Sequence, residues 1–118
     1  MKGLTMKLRK MSASVDMVKT ITLIFPTGEI ITLDNAAVLK SYESRVAVYS
    51  NMQVFLLPRF DYSITTLKHL HAFIDDYCEG VRDCSVREMR YKIALDLDDG
   101  EYRYADGIVF AGRYVDRY

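Results

Sequence analysis

The sequence of 118 residues has no tryptophan, only two cysteines and two prolines, and no net charge. A formal charge of zero removes the overall electrostatic attraction to nucleic acids and to anionic membranes. No apolar run approaches the ~20 residues that a membrane-spanning helix needs. The first ten residues are interrupted by charge too often to form the apolar core of a secretory signal. We therefore expect a cytoplasmic protein, without membrane contact, whose two cysteines stay reduced.

The residues that are present are those of an ordinary globular domain with many tyrosines. Hydrophobic residues make up 50% of the chain and charged residues 27%, which is typical of such domains. Nine tyrosines and five phenylalanines suit half-buried strand faces and binding surfaces equally well. The first twenty residues hold five basic residues against the single acid Asp16. We expect a flexible basic tail over residues 1–18 and a single domain over residues 19–118.

Residues 63–79 have the periodicity of an amphipathic helix, around which the rest of the chain is arranged. Ser63 is a good N-cap, because its hydroxyl accepts a hydrogen bond from an amide of the first turn. Gly80 is a good stop, since glycine enters the left-handed conformation at little cost. At about 100° per residue, the predicted apolar stripe comprises Leu67, Leu70, Ile74, Tyr77, Cys78 and Val81, with Ile64 and Phe73 at its margins. The predicted outer face comprises Lys68, His69, Asp75, Asp76 and Glu79.

Upstream of this helix, the sequence predicts two hairpins of short strands. Residues 19–25 and 30–33 are β-branched and apolar, and the Pro-Thr-Gly-Glu sequence between them predicts a turn. Residues 42–49 and 53–57 predict the second hairpin, which ends at Pro58 because proline lacks an amide donor.

Downstream of the helix, the sequence predicts a third hairpin and a last strand. Apolar and polar residues alternate over 89–97, as in a strand with one face on the core. Residues 98–100 predict a turn, 101–105 a returning strand, and 108–115 a last strand rather than a short helix. The expected fold is α+β: an antiparallel sheet of about six strands, with the helix of residues 63–79 packed on one face.

Zinc-ligating residue types are present, but their spacing argues against a metal site. The candidates are His69, His71, Cys78 and Cys84. His71 and Cys78 are seven positions apart, so their backbone anchors lie about 10 Å apart along a helix. The donors of one tetrahedral zinc lie within roughly 4 Å of each other. We therefore expect no metal and no cofactor.

The sequence also predicts no catalytic residues. Ser63, His69 and Asp76 are of the nucleophile, base and acid types. However, Ser63 is assigned to the helix cap, and no Gly-x-Ser-x-Gly elbow surrounds it. We expect that the protein is not an enzyme. A hydrolase that uses His69 or His71 ranks third among the functional hypotheses, after the two binding functions given below.

Tyrosines interleaved with arginines near the C-terminus have the character of protein-interface hot spots. The alternative interpretation is cross-strand pairing of these residues on a solvated sheet face. The predicted partner-binding residues are Tyr102, Arg103, Tyr104, Arg113 and Tyr114, together with Lys68 and His69 of the helix. Nucleic-acid binding through the basic tail and stacking tyrosines is also possible in principle. Against it, the chain lacks a net positive charge and the glycine–aromatic run of RNA-recognition strands.

Two segments in the middle of the chain carry recognisable motifs. Residues 41–48 read Ser-Tyr-Glu-Ser-Arg-Val-Ala-Val, and residues 62–73 begin Tyr-Ser-Ile-Thr-Thr-Leu-Lys-His. Together they resemble a family of small uncharacterised bacteriophage domains, with a Ser-Tyr-x-Thr-x-Val-Ala strand and a Tyr-Ser-x-Thr-Thr-x-Lys-His helix start. Ser44 stands where the family often has threonine, and Leu67 where a small polar residue is common. The resemblance implies a phage or prophage origin and assigns no activity.

These observations together favour a binding function. The leading hypothesis is a non-enzymatic, phage-encoded accessory protein that occupies a surface on a host protein or protein complex. An anti-defence inhibitor, of the kind that blocks a CRISPR effector, is its most concrete form. The alternative is a small nucleic-acid-binding regulator.

Overall fold

The computed structural model describes residues 12–99 and 107–115, which form a curled mixed sheet of six strands and two helices. The α+β class is therefore confirmed. In chain order the elements are β1 (Ala13–Ile24), β2 (Ile30–Ser41), β3 (Ser44–Ser50), β4 (Gln53–Leu56), α1 (Ile64–Asp76), α2 (Val86–Asp99), β5 (Ile108–Phe110) and β6 (Arg113–Val115).

The first hairpin pairs β1 with β2 along almost their whole lengths. Its turn is the predicted one: the amide of Phe25 donates to the carbonyl of Glu29 at 2.8 Å, and Gly28 has a φ of 95°. The strand begins earlier than predicted, however. Residues 13–18 pair with β2 instead of belonging to a tail over 1–18. Ladder hydrogen bonds use the backbone, so a strand can continue through polar residues that show no apolar pattern.

The second hairpin, β3 with β4, is also present as predicted. Asn51 and Met52 form its two-residue turn, and both have positive φ, at 50° and 65°. A type I′ turn requires this at both central positions, because its twist then matches that of the flanking strands.

The sheet has the order β5-β4-β3-β2-β1-β6, so β5 and β6 lie at its two opposite edges. Only Ala111 and Gly112 separate these strands in the chain, and the sheet therefore curls until its edges approach each other. A Cβ at Gly112 would lie 2.8 Å from the carbonyl oxygen of Ile24, so this closure requires glycine. β5 runs parallel to β4, which corrects the purely antiparallel expectation: α1 and α2 form the crossover that parallel pairing needs.

α2 replaces the strand predicted over 89–97 and includes the first two residues of the turn predicted over 98–100. The buried Met89 shares one face of α2 with the half-buried Val86 and Ile93. Their separations of three and four are helical. Met89 and Ile93, four apart, also fit a two-residue period, whereas Val86 fits only the helical one. The return strand predicted over 101–105 lies outside the described residues.

A capping box at the start of α2 settles the choice between the two periods. The hydroxyl of Ser85 accepts from the amide of Glu88 at 3.1 Å, and the Glu88 carboxylate accepts from the amide of Ser85 at 3.2 Å. This reciprocal pair satisfies two amides that no intrahelical bond serves. The Ser-x-x-Glu pattern was legible in the sequence.

α1 is the predicted helix, with a shorter C-terminal end and a rotated buried face. Ser63 is the N-cap, and its hydroxyl accepts from the amide of Thr66 at 3.1 Å. The helix ends at Asp76, and Gly80, with a φ of 83°, follows in the next loop. The buried residues are Thr66, His69, Leu70, Ala72, Phe73 and Ile74. The outward orientation predicted for His69 is therefore wrong, since its side chain is fully buried.

Successive residues of the central strands contribute to two separate apolar layers, one on each face of the sheet. Leu39 and Val54 belong to the layer that includes Leu70 and Phe73 of α1, while Phe55 belongs to the layer enclosed by the curl. Because strand side chains alternate between faces, both helices lie on the outer face. This places the start of α1 beside the turn between β2 and β3.

Candidate binding face

The structure scatters the predicted partner-binding residues. Tyr102, Arg103 and Tyr104 lie outside the described residues. Lys68 is exposed on α1, as predicted, whereas His69 is buried and offers no surface.

The remaining predicted residues lie on β6. Arg113 is exposed and Tyr114 is half-buried beneath the guanidinium of Arg45, whose carbon is 4.4 Å from the ring centre. Arg45 follows Ser44, which faces the helix side of β3. Because side chains alternate along a strand, Tyr114 is held on the other face of the sheet from α1.

A small pocket lies between the β2–β3 turn and the connection from β4 to α1. Its volume is about 230 Å³, and we call it the tyrosine pocket. It is lined by Ser41, Tyr42, Ser44, Arg59, Tyr62, Ser63 and Thr66. The two tyrosines stand at its rim, with 59% and 72% of their surfaces exposed.

The hydroxyls at the floor of the tyrosine pocket are already hydrogen-bonded within the protein. Ser41 Oγ and His69 Nδ1 are 2.7 Å apart, and Ser63 Oγ lies 3.0 Å from Thr66 Oγ1. These bonds connect β2 to α1 and close the first turn of the helix. Little hydrogen-bonding capacity at the floor is left for a ligand.

Ser41 and His69 are close enough to act as a nucleophile and its base, but their burial argues for a structural role. Ser41 is 3% exposed and His69 is 0% exposed. A nucleophile has to meet its substrate, and this pair is covered by Tyr42, whose ring centre lies 5.9 Å from that of His69. We interpret the pair as a buried polar link beneath the pocket.

Tyr42 is held in place by its backbone as well as by this ring contact. Its amide donates to the carbonyl of Ser12 at 2.9 Å, and its φ is 57°. A positive φ is unusual for a bulky side chain and costs about 1–2 kcal/mol. Of the two central residues in this turn, Tyr42 alone has a positive φ, which is the position where type II′ turns prefer glycine.

Tyr62 is held by the loop that precedes α1. The Arg59 guanidinium carbon lies 4.8 Å from the centre of the Tyr62 ring, and the Tyr62 amide donates to the Arg59 carbonyl at 3.2 Å. Phe60 anchors this loop in the core, and Asp61 accepts from Arg90 of α2 at 3.1 Å. Both tyrosines at the rim of the pocket are thus positioned before any partner arrives.

The exposed surface continues from the pocket onto the outer side of α1. Ile64, directly after the cap, is 76% exposed, and Lys68 follows one turn later. We define the tyrosine face as Tyr42, Arg59, Tyr62, Ile64 and Lys68. Its two tyrosines and its arginine are of the types that are enriched in protein interfaces and their hot spots.

A second, larger cavity lies beside α2, with a volume of about 1090 Å³. We call it the α2 groove. The charged and exposed residues that line it are Met52, Arg82, Asp83, Arg87, Glu88, Tyr91 and Lys92. Lys92 donates to the carbonyl of Ile108 at 2.9 Å, which fixes α2 to β5.

Asp83, which lines the α2 groove, is hydrogen-bonded to His71 of α1. His71 Nδ1 lies 2.9 Å from Asp83 Oδ2, and Asp83 Oδ1 accepts from the amide of Cys84 at 2.8 Å. Partial burial, a hydrogen bond with Asp83 and the Asp83 charge together raise the pKa of Asp75. These contacts connect α1 to the loop that leads to α2.

The two cysteines lie in different surroundings. Burial raises the pKa of Cys78, which packs as a small apolar side chain, whereas Cys84 is half-buried in the lining of the α2 groove. Among residues 12–99 and 107–115, no group of three or more histidines, cysteines or acids has the arrangement of a metal site.

A family model matches residues 6–90, which is well over half of the chain. It describes DUF8033, a family of unknown function. The chain belongs to the DUF8033 family. No curated protein and no solved structure matches it.

The DUF8033 match includes every residue of the tyrosine pocket and the whole of α1, whereas β5 and β6 lie beyond it. None of the helices that the structure describes has the length and hydrophobicity to span a membrane.

Sequence reasoning missed the tyrosine pocket, although one signal pointed to it. Taken separately, the two motif segments, 41–48 and 62–73, predict a strand and a capped helix and no shared site. In the folded chain their first residues meet, and Ser41, Tyr42, Tyr62 and Ser63 line one cavity. Two short motifs separated by a hairpin are a reason to ask whether their residues share a site.

Proposed function

We propose that this chain is a non-enzymatic binding protein that attaches through its tyrosine face to an acidic surface of another protein. In the form that we favour, it is a phage-encoded accessory protein. Its partner would then be a host protein or protein complex, such as a CRISPR effector that it inhibits or redirects. The phage origin is part of the proposal and comes from the resemblance of residues 41–48 and 62–73.

The observation that carries the proposal is the conformation of Tyr42. The residue occupies a glycine-favouring position of its turn at an expected cost of about 1–2 kcal/mol, while more than half of its surface stays exposed. The ring covers the buried Ser41–His69 pair on one side and leaves most of its surface available to a partner. Strained residues cluster at functional sites, where the side chain is needed in a fixed position.

The charge of the face supports an acidic partner. Arg59 and Lys68 are its charged members. Two acids are adjacent to it in the chain: Asp61 is paired with Arg90, and Glu43 is exposed. Ser12 binds the amide of Tyr42, and the eleven residues before Ser12 hold the basic residues Lys2, Lys7, Arg9 and Lys10 and no acid. Positive charge near an aromatic patch speeds association with an acidic surface and selects against basic ones.

Co-purification from a host lysate tests the proposal with a matched pair of exposed tyrosines. Tyr62 is 72% exposed on the tyrosine face and Tyr91 is 67% exposed at the α2 groove. We expect Tyr62→Ala to remove a captured protein that Tyr91→Ala retains, with both variants folded by circular dichroism. Equal capture by the two variants would contradict the proposal.

A second candidate function, nucleic-acid binding, has its own observation in the α2 groove. Tyr91 follows Arg87 by one helical turn, and Arg82 and Lys92 line the same cavity. An exposed aromatic ring flanked by cations can stack on a base while the cations contact phosphates. Single-stranded oligonucleotide binding that weakens steeply with salt, and is lost in Tyr91→Ala but kept in Tyr62→Ala, would favour this function.

A further inference from the structure

We propose that the tyrosine pocket receives one apolar side chain from a partner segment that carries carboxylates on both sides of it. The inference rests on the proposed function and names what the tyrosine face recognises. It makes the pocket the anchor of the interface and the basic residues around it the source of selectivity.

The size of the pocket fits a single side chain. Pockets for small-molecule ligands and cofactors usually span about 300–1,000 Å³, and this one measures about 230 Å³. Interface hot spots are commonly single side chains that fill pockets of this kind and are shielded from water by their surroundings.

The chemistry of the walls favours an apolar occupant. The floor hydroxyls of Ser41 and Ser63 are engaged with His69 and Thr66. Ser44 is the one lining serine outside these bonds, so a polar group pushed into the pocket would lose its water for few new partners. A buried polar atom left unsatisfied costs about 1–3 kcal/mol. The rings of Tyr42 and Tyr62 instead offer apolar surface to a leucine, methionine or phenylalanine side chain.

The surroundings favour carboxylates beside that side chain. The seven residues that line the pocket include one arginine and no acid. Glu43, in the turn next to Tyr42, is exposed but does not line the pocket. Arg59 at the rim offers the planar fork that binds carboxylates through two bonds, and Lys68 adds a positive charge on the exposed side of α1.

The pocket is also formed in advance. Tyr42 is fixed by its amide bond to Ser12, and Tyr62 by its contact with Arg59. Ordering a mobile side chain at an interface costs about 0.5–1.5 kcal/mol, so walls that are already fixed avoid part of that cost.

Capped pentapeptides test the inference on the full chain labelled with ¹⁵N. The probe has a central phenylalanine with two glutamates on each side, and its controls have a central alanine or four lysines as flanks. We expect the probe to shift the amides of Tyr42, Tyr62 and Ser63 saturably, with affinity at least about tenfold above either control, a difference of 1.4 kcal/mol or more. Equal binding of a control, saturation by inorganic phosphate instead, or no saturable shift at millimolar peptide would each overturn the inference.

Ser44→Leu separates this inference from the proposed function. Ser44 lines the pocket and belongs to neither of its internal hydrogen bonds, so a leucine there fills the cavity while Tyr42 and Tyr62 stay in place. We expect Ser44→Leu to abolish binding of the phenylalanine probe. The control Ser14→Leu, the same change at an exposed position of β1 outside the pocket, should keep it. Suppose a co-purified protein is lost in Tyr62→Ala but kept in Ser44→Leu. That result would overturn the pocket as anchor and leave the tyrosine face standing.

Discussion

Two hairpin turns of this protein each place a bulky residue at positive φ, and each borders one of its two cavities. Tyr42 lies between β2 and β3 at the tyrosine pocket, and Met52 lies between β3 and β4 at the α2 groove. They are almost equally exposed, at 59% and 58%. The two residues therefore have similar φ values and nearly equal exposure, and they differ in their surroundings.

The surroundings of Met52 and Tyr42 differ, although both turns demand positive φ at these positions. The side chain of Met52 packs against Gly80, where a Cβ would lie 2.6 Å from Met52 Cε. The exposed ring of Tyr42 instead lies over His69 and borders the tyrosine pocket. A bulky residue kept at a strained position beside a pocket is consistent with a side chain used for binding.

The largest effect on stability is expected beneath Tyr42. His69→Ala removes a fully buried side chain and leaves Ser41 without this hydrogen bond, and we expect a loss of about 3 kcal/mol in the free energy of unfolding. Urea unfolding followed by circular dichroism measures it. A loss well under about 1 kcal/mol would show that the pair is not a structural link, and would reopen a catalytic role for His69.

Tyr42→Asn should separate binding from stability. Asparagine tolerates the left-handed conformation, and the chain already uses it at Asn35 and Asn51 with φ of 53° and 50°. We expect affinity for the captured partner to fall by about 2 kcal/mol, roughly thirtyfold. The free energy of unfolding should stay unchanged or rise by up to about 1 kcal/mol as strain is relieved.

Met52→Asn is the matched control for this variant. It relieves the same kind of strain but removes the contact with Gly80, so we expect lower stability and unchanged partner affinity. If both variants weakened binding equally, the two turns would not differ in function.

Gly28→Ala calibrates the cost of a left-handed residue in isolation. Gly28 has a φ of 95°, and an added Cβ there would meet no atom within 4 Å. The substitution therefore adds only the cost of holding an alanine in the left-handed backbone conformation. We expect a loss of about 1 kcal/mol in the free energy of unfolding and no change in binding. Thermal unfolding measures the shift, and a loss near zero would mean that the strain assigned to Tyr42 is overestimated.

The smallest effect concerns Asp75, which is hydrogen-bonded to Asp83 of the α2 groove, whereas no acid lines the tyrosine pocket. Because the pKa of Asp75 is raised in the folded state, folding favours its protonated form, and its charge costs stability above that pKa. Asp75→Asn removes this cost, and we expect it to stabilise the protein by a few tenths of a kcal/mol at pH 7, since the carboxylate is exposed to solvent screening. The gain should vanish below about pH 3.9, where the unfolded carboxyl is also protonated. A gain that persisted at low pH would have another origin.

Sequence reasoning recovered the elements whose signals are local. The turn at Gly28 and the cap at Ser63 depend on a few adjacent residues with specific backbone roles, and both are present. The strand prediction over 89–97 was wrong because Met89 and Ile93 fit a strand period as well as a helical one. The Ser85–Glu88 capping box is the local signal that favours the helix.

The site itself depended on tertiary contacts that no local pattern encodes. The buried face of α1 is rotated toward Thr66 and His69, because Ser41 of a distant strand provides His69 with a hydrogen-bond partner. The sequence does not reveal this partner, and the general rule that polar residues face solvent therefore predicts an exposed His69. Tyr42 and Tyr62 likewise come together only when the β2–β3 turn meets the start of α1.

Hydrogen exchange of the chain alone and with its co-purified partner tests the binding face most directly. We expect slower exchange of backbone amides in residues 42–44 and 62–68 on complex formation, and little change in residues 82–92 beside the α2 groove. Protection confined to residues 82–92 would contradict the account and assign the binding surface to the groove.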